Sequence, residues 1–435
     1  MDILGLIVGV GILVVGAYKG LNALPLTLFA GMVVILTNGM DVWPAFAQSY
    51  MTGYVGFFLA FFLIFASSAL FAKIMEETGA AMAVGYKFID WFGKHRSVLI
   101  VFLTTAALTY GGVSLFVVVF ALRPIIMILF REANIPRSMA IGPLVAGSAT
   151  FTMKSLPGSP QLTNVVPTGF FGTTLTAAPM LGIISAIMML VLQIFYFRYE
   201  ERKSRERGET FSFMEGQNEE LYKVDRDKLP SPIVSFLPLI VVVTMIIGLR
   251  TVVTPAAQLV VISMLVASTL AIILNWKRIP NLKNIINIGS GGAITAIAGP
   301  ASVVGFGAIV QATPAFQTIV QGLLGMEMSP YALAALAPSI LAGITGSSSG
   351  GLNISLQVLA DHLIASGANL DLLHRISAMF AGTLDTLPHS PGLFLMFPYL
   401  GLSHKDGYRY VFWSAVVIPT FVGLICLAAV IAMAG

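Results

Sequence analysis

The chain has 435 residues, of which 57% are hydrophobic and only 10% charged, and its mean hydropathy is +0.89. Such values lie outside the soluble range and leave an integral membrane protein. A net charge of +4 without a basic stripe or RNA-binding motif excludes a nucleic-acid partner, and a single cysteine, Cys426, excludes a disulfide framework or a CxxC metal pattern.

Read with a window of about 20 residues, the chain opens with scaffold helices in 1–75, as spans near 3–19, 22–38 and 51–73. The first, ILGLIVGVGILVVGAYKG, has no basic residue before it and no small-residue cleavage site after it, so it reads as a retained span. The amphipathic AAMAVGYKFIDWFG predicts an interfacial arm over 77–94. Residues 97–131 are too long for one crossing and are interrupted by YGGVS, which predicts a re-entrant hairpin with Gly111, Gly112 and Ser114 at its tip. A broken helix over 137–168 and a closing helix over 175–197 complete a first repeat, 1–197.

The polar segment 198–231 mixes charges, lacks apolar runs and reads as a partly disordered cytoplasmic linker. The order then returns in 232–435: scaffold helices over 233–312, with spans near 233–249, 256–275 and 289–312; an arm over 314–325; a hairpin over 330–366 with GSSSGGLN at its tip; a broken helix over 371–400; and a closing helix over 410–433.

Each half therefore holds five crossings plus a hairpin, and an odd number inverts the second half relative to the first. The fold class expected is an all-α polytopic membrane protein of two inverted repeats. Loop charge agrees with a cytoplasmic linker, because Lys73, Lys87, Lys94, Arg96, Arg131, Arg137, Lys277, Arg278, Lys283, Lys405 and Arg409 all fall on its side. GMDVWPAFAQSY and PTGFFGTT, on the other side, have no Lys or Arg; Arg250 and Arg375 are exceptions. Both termini are then outside, in a multi-pass protein of a bacterial-type inner membrane.

The two broken helices carry near copies of one segment, TMKSLPGSPQ at 152–161 and TLDTLPHSPG at 383–392. Pro157 and Pro388, like Pro160 and Pro391, are 231 residues apart. Non-helical backbone survives at mid-membrane depth only where it lines a cavity or is buried in protein. Two such breaks facing two hairpin tips would bring free helix ends together, and helix N-termini attract anions. The breaks read as the walls of a site for a small anionic solute.

GGVSLFVVVFALRP, GSATFTMKSLPGSPQLTN, GSSSGGLNISL and LDTLPHSPG, in this order and with this symmetry, resemble the gluconate permease (GntP) family of the ion transporter superfamily over nearly the whole chain. The resemblance implies secondary active uptake of sugar acids, hydroxy acids or related carboxylates, usually coupled to protons. It also implies a scaffold domain that commonly dimerises and a mobile domain holding hairpins and broken helices, with elevator-like or rocking motion. Gluconate-type members do not carry LDTLPHSP in the last break, whereas members linked to short hydroxy acids such as 3-hydroxybutyrate carry similar DxLPH sequences. The expected substrate is therefore a short hydroxy acid, with gluconate as the alternative.

Asp385 is costly in the centre of a span, which makes function its default reading, and His389 follows four residues later; together they are the proton-coupling candidates. A histidine that only caps freed backbone is the competing view. Lys154 is the repeat equivalent of Asp385 and is expected to pair with it, bind the substrate carboxylate, or snorkel to an interface. Further candidates for substrate contact are Thr152, Ser155, Gly158, Ser159, Gln161, Asn164, Thr386 and Ser390 at the breaks, and Ser347, Ser348, Ser349, Gly350, Gly351 and Asn353 at the second tip. Hydroxyls and amides there can equally satisfy loose backbone, and the glycines can serve helix packing. Sodium is the alternative coupling ion, through Asn353, Ser347 or Asn164 with unwound carbonyls. No cofactor and no resident metal is expected. A pump is disfavoured by the lack of GxxxxGK[ST], and an intramembrane hydrolase by the lack of GxSxG and by the doubled break.

Overall fold

A computed structural model describes residues 2–110, 115–159, 161–213, 226–249, 252, 253 and 256–434. Long apolar runs leave backbone N–H and C=O groups no partner in lipid except one another, and every regular element among the described residues is helical. In chain order these are α1 (Asp2–Tyr18), α2 (Ala23–Thr37), α3 (Val42–Glu77), α4 (Ala80–Phe92), α5 (Ser97–Tyr110), α6 (Leu115–Glu132), α7 (Ile141–Ala149), α8 (Phe151–Lys154), α9 (Leu162–Phe171) and α10 (Pro179–Glu206). After the linker come α11 (Pro232–Leu249), α12 (Ala256–Leu274), α13 (Leu282–Gln311), α14 (Pro314–Leu324), α15 (Pro330–Thr345), α16 (Ser348–Ala365), α17 (Leu370–Phe380), α18 (Pro391–Tyr399) and α19 (His404–Met433).

Several helices run further than their apolar stretches, because polar residues at their ends make local bonds that a hydropathy window does not count. The third span starts at Val42 and not at 51, with Pro44 in its first turn, where a missing N–H costs no bond. α13 starts at Leu282 because the Asn281 side chain accepts from Asn284 N at 3.0 Å. α10 continues to Glu206 through the ion pairs Arg205–Glu201 at 2.5 Å and Arg202–Glu206 at 3.6 Å, so the first part of the expected linker is helix. The last helix starts at His404 behind a capping box of Ser403 and Asp406.

Among the described residues, 42–77, 179–206, 257–274, 282–311 and 404–433 are long and apolar enough to cross a bilayer, and 2–18, 23–37, 232–246 and 330–345 are shorter apolar helices. Phe29, Leu59, Leu63, Phe195, Ile233 and Ile273 are exposed, an outward apolar surface suited to lipid. Two groups of helices pack within this envelope. In one, α13 lies along α3 and α2, with α1, α11 and α12 beside them; in the other, the hairpins α5–α6 and α15–α16 pack on α7–α9 and α17, and α10 lies against α19.

The linker gathers the basic loops at one end of the molecule. Arg226 pairs with Asp90 at 3.7 Å, Arg409 with Glu209 at 3.5 Å, Phe211 N donates to Asn134 Oδ1 at 3.1 Å, and Arg278 donates to the carbonyls of Lys228 and Leu229. Asn38 Nδ2 donates to Asp2 O, so the start of α1 lies beside the end of α2, while Tyr18 at its other end meets His404.

Candidate functional site

The first break begins at Thr150, whose backbone leaves the helical region and ends α7. Gln193 of α10 donates to the Thr150 hydroxyl at 3.1 Å and to Ser414 O of α19 at 2.8 Å, tying the break to both closing helices. After α8 the chain unwinds through 155–159, and side chains there and in α8 take up the freed backbone groups. Thr152 Oγ1 donates to Gly147 O at 2.6 Å, Ser159 Oγ to Thr152 O at 2.7 Å, and Gly158 N to Leu175 O at 2.9 Å. Ser155 contacts the Met189 sulfur at 3.9 Å, and Gln161 donates to Thr109 O at 2.8 Å.

The second break, 381–390, follows α17 as a series of turns closed by Pro391 at the start of α18. α17 has 11 residues, about 16 Å of helix. Thr386 Oγ1 donates to Ala415 O at 3.4 Å, and Ser390 Oγ to Gly346 O at 3.1 Å.

Lys154 joins the two breaks. It is fully buried, so it does not snorkel, and its ammonium donates to Gly382 O at 2.6 Å and to Asp385 Oδ1 at 3.2 Å and Oδ2 at 3.4 Å. Gly382 makes this possible, because a Cβ there would fall 1.8 Å from Lys154 Cε and Nζ. His389, in contrast, makes no hydrogen bond to Asp385. Its ring is buried by the backbone of Gly343 and Ile344, with neither nitrogen in a hydrogen bond of good geometry.

Each hairpin docks on a break. At the second tip Gly346 ends α15 with φ +66° and packs on Pro391, Ser390 and His389. Ser347 caps α16 by accepting from Gly350 N at 3.2 Å, which sets Ser348, Ser349, Gly350, Gly351 and Asn353 in its first turns. Gly351 allows close contact with Leu341 and Ala342 of α15. Gly111, Gly112 and Ser114 of the first tip lie outside the described residues, as do Pro160 and Arg250. The flanks of that tip are described: Tyr110 donates to Pro157 O at 3.0 Å in the first break, and Leu115 meets Gly392 beside the second.

The residue that sequence reasoning passed over is Arg375. Set aside as an exception to the loop charges, it is fully buried in α17. Its Nε and Nη2 donate to Ala177 O at 3.1 and 2.8 Å, Nη2 also to Leu175 O at 3.3 Å, and Nη1 to Asn164 Oδ1 at 2.9 Å and Lys154 O at 3.5 Å. Asn164 Nδ2 donates to Ser159 O and Leu175 O at 2.8 and 2.9 Å, and its Oδ1 also accepts from His374 Nε2 at 3.1 Å, so every polar position of Asn164 is engaged within the chain. His374 then accepts at Nδ1 from Thr173 Oγ1, 2.7 Å away. A charge within an apolar stretch was the available signal.

A cavity of about 760 Å³ lies elsewhere, between the α1–α2 turn, α13 and α18–α19, lined by Leu21, Asn22, Thr295, Gly299, Phe394 and His404. Neither Lys154 nor Asp385 opens into it. The arrangement at the breaks offers a buried cation–carboxylate pair, a second cation and unwound backbone, which suits reversible binding of an anion and a cation in place of covalent chemistry.

Comparison with known proteins supplies the family. The model of GntP family permeases matches residues 1–434. An uncharacterized transporter of Bacillus subtilis (strain 168), YxjC, is 32% identical over 452 aligned residues, covering 95% of each chain. An uncharacterized transporter of Haemophilus influenzae is 23% identical over 331, covering 74% of this chain and 73% of that one. A solved structure of Neisseria gonorrhoeae MtrF, described as illuminating a class of antimetabolite efflux pumps, aligns over 90% of this chain and 83% of its own, with 13% identity and a TM-score of 0.35, too low to support inference. A family match over essentially the full length, joined to a relative similar from end to end, makes this chain a member of the GntP permease family.

Proposed function

We propose that this permease imports a small monocarboxylate, a short hydroxy acid such as 3-hydroxybutyrate, by proton symport across a cell inner membrane. The single observation that carries the reading is the ion pair between Lys154 and Asp385, buried between two breaks and 231 residues apart, the repeat spacing. In this reading, two inverted repeats each contribute one break and one hairpin. The substrate carboxylate takes Lys154 from Asp385, and Asp385 accepts the coupling proton, so neither charge is left bare at mid-membrane depth. The group holding the breaks moves against the α3–α13 group, with the cavity beside α18 and α19 giving it room. Family membership favours transport over the hydrolase reading.

The test is uptake by reconstituted protein of gluconate, lactate, 3-hydroxybutyrate, citrate and D-serine, with a pH gradient and with a sodium gradient in turn. Accumulation of a short hydroxy acid driven by pH alone is the expected result. Sodium-driven uptake would move the coupling to carbonyls near Ser347 and Asn353; preference for gluconate would overturn the substrate class. A neutral amide of the true substrate should compete poorly, and equal competition would remove the anion site.

A further inference from the structure

We propose that Arg375 is a positioning residue of this site, which sets Lys154 against Asp385 and keeps the buried charge positive so that the breaks take one singly charged anion. The anion part rests on the carboxylate reading above; the positioning part stands on geometry alone.

The donors of Arg375 are directed to neutral acceptors of this chain: three backbone carbonyls and the Asn164 amide oxygen. With its fork occupied in this way, Arg375 acts on a substrate through what it holds. What it holds is the first break: the carbonyl of Lys154 itself, Asn164, which carries Ser159, and the 175–177 turn, to which Gly158 N is bonded. Two cations thus cross between the breaks in opposite directions. Lys154 reaches from the first to Gly382 and Asp385, and Arg375 reaches from the helix before the second back to the first.

Charge gives the second half of the argument. Lys154 and Arg375 are fully buried and Asp385 nearly so, while Asp371, the acid on the first turn of α17, is exposed. Two buried cations face one buried carboxylate. A purely mechanical tie could be made by an uncharged amide; a guanidinium at this depth is expensive unless its charge is used. The groups facing Asp385 are Lys154 from the first break and Tyr408 of α19, whose hydroxyl donates to Thr386 O at 3.2 Å; Arg375, with Asp371 as its charged neighbour, reaches the Lys154 main-chain carbonyl and acts on Asp385 through Lys154.

Arg375→Gln and Arg375→Lys separate charge from fork. The full chain is reconstituted, and labelling of Asp385 by dicyclohexylcarbodiimide, which attacks a protonated carboxyl, is followed against pH by mass spectrometry without any substrate. Arg375→Gln should shift the labelling midpoint upward by about one pH unit, and Arg375→Lys should stay nearer the wild type. In uptake, Arg375→Gln should lose about tenfold of the preference for 3-hydroxybutyrate over 3-hydroxybutyramide through KM, whereas Arg375→Lys keeps the preference and loses kcat. An unmoved midpoint in Arg375→Gln, or equal shifts or equal unfolding of the two variants, would overturn the positioning role. A moved midpoint in Arg375→Gln, together with a wild-type protein that transports no carboxylate, would retain the positioning role and discard the carboxylate reading.

Discussion

Lys154 or Asp385 alone would be a bare buried charge; as a pair they are tolerated, and this makes the contact breakable and not merely stabilising. Asp385→Ala should therefore lower unfolding stability in detergent by about 3–5 kcal/mol, while Lys154→Met combined with Asp385→Leu should recover most of that loss with no recovery of transport. Melting of the single and double variants checks this. Gly382→Ala is the sharper probe, since its Cβ would occupy the space of the Lys154 terminus. It should leave the helices folded and abolish pH-driven accumulation, because the ammonium must leave Asp385. Asp385→Asn, a mimic of the protonated acid, should retain exchange of substrate and lose uphill accumulation; full accumulation would send the coupling proton elsewhere.

At the scale of elements, the α15–α16 hairpin matters for what its tip touches. Gly346 has φ +66°, and its Cα faces Ser390 and Pro391 directly, so a side chain there meets both conformational strain and the second break. Gly346→Ala should cost about 1–2 kcal/mol and slow transport, visible as a lower melting temperature together with a reduced kcat. An unchanged kcat would mean that this tip is packing alone. The caps at Asn281, Ser347, Asn369 and Ser403 explain why helices start where they do, through polar residues a hydropathy count discards.

For the whole molecule, contacts of residues 90, 134, 278 and 409 with the linker region put these loops at one end, and the start of α1 beside Asn38 at the other. Single cysteines at the termini and at Ser212 should react with an impermeant maleimide from opposite faces of the membrane, termini outside and Ser212 inside. Labelling of Ser212 from outside would reverse the orientation.

The sequence by itself determined the all-helical membrane class, the two Pro-containing segments 231 residues apart and the family resemblance, because these depend on hydropathy, on helix-breaking residues and on short local motifs. It also marked Lys154 and Asp385 as equivalent, but left open whether Lys154 paired, bound substrate or snorkelled. Only the tertiary structure decided that, since the partners lie 231 residues apart and meet across two helix ends. It decided equally that Asn164 is spent on internal bonds, that His389 makes no hydrogen bond to Asp385, and that Arg375 is buried and not a loop charge. The physical reason is the same throughout: a broken helix is visible in its own residues, but where its freed carbonyls and amides find partners is settled by whichever distant segment packs against it.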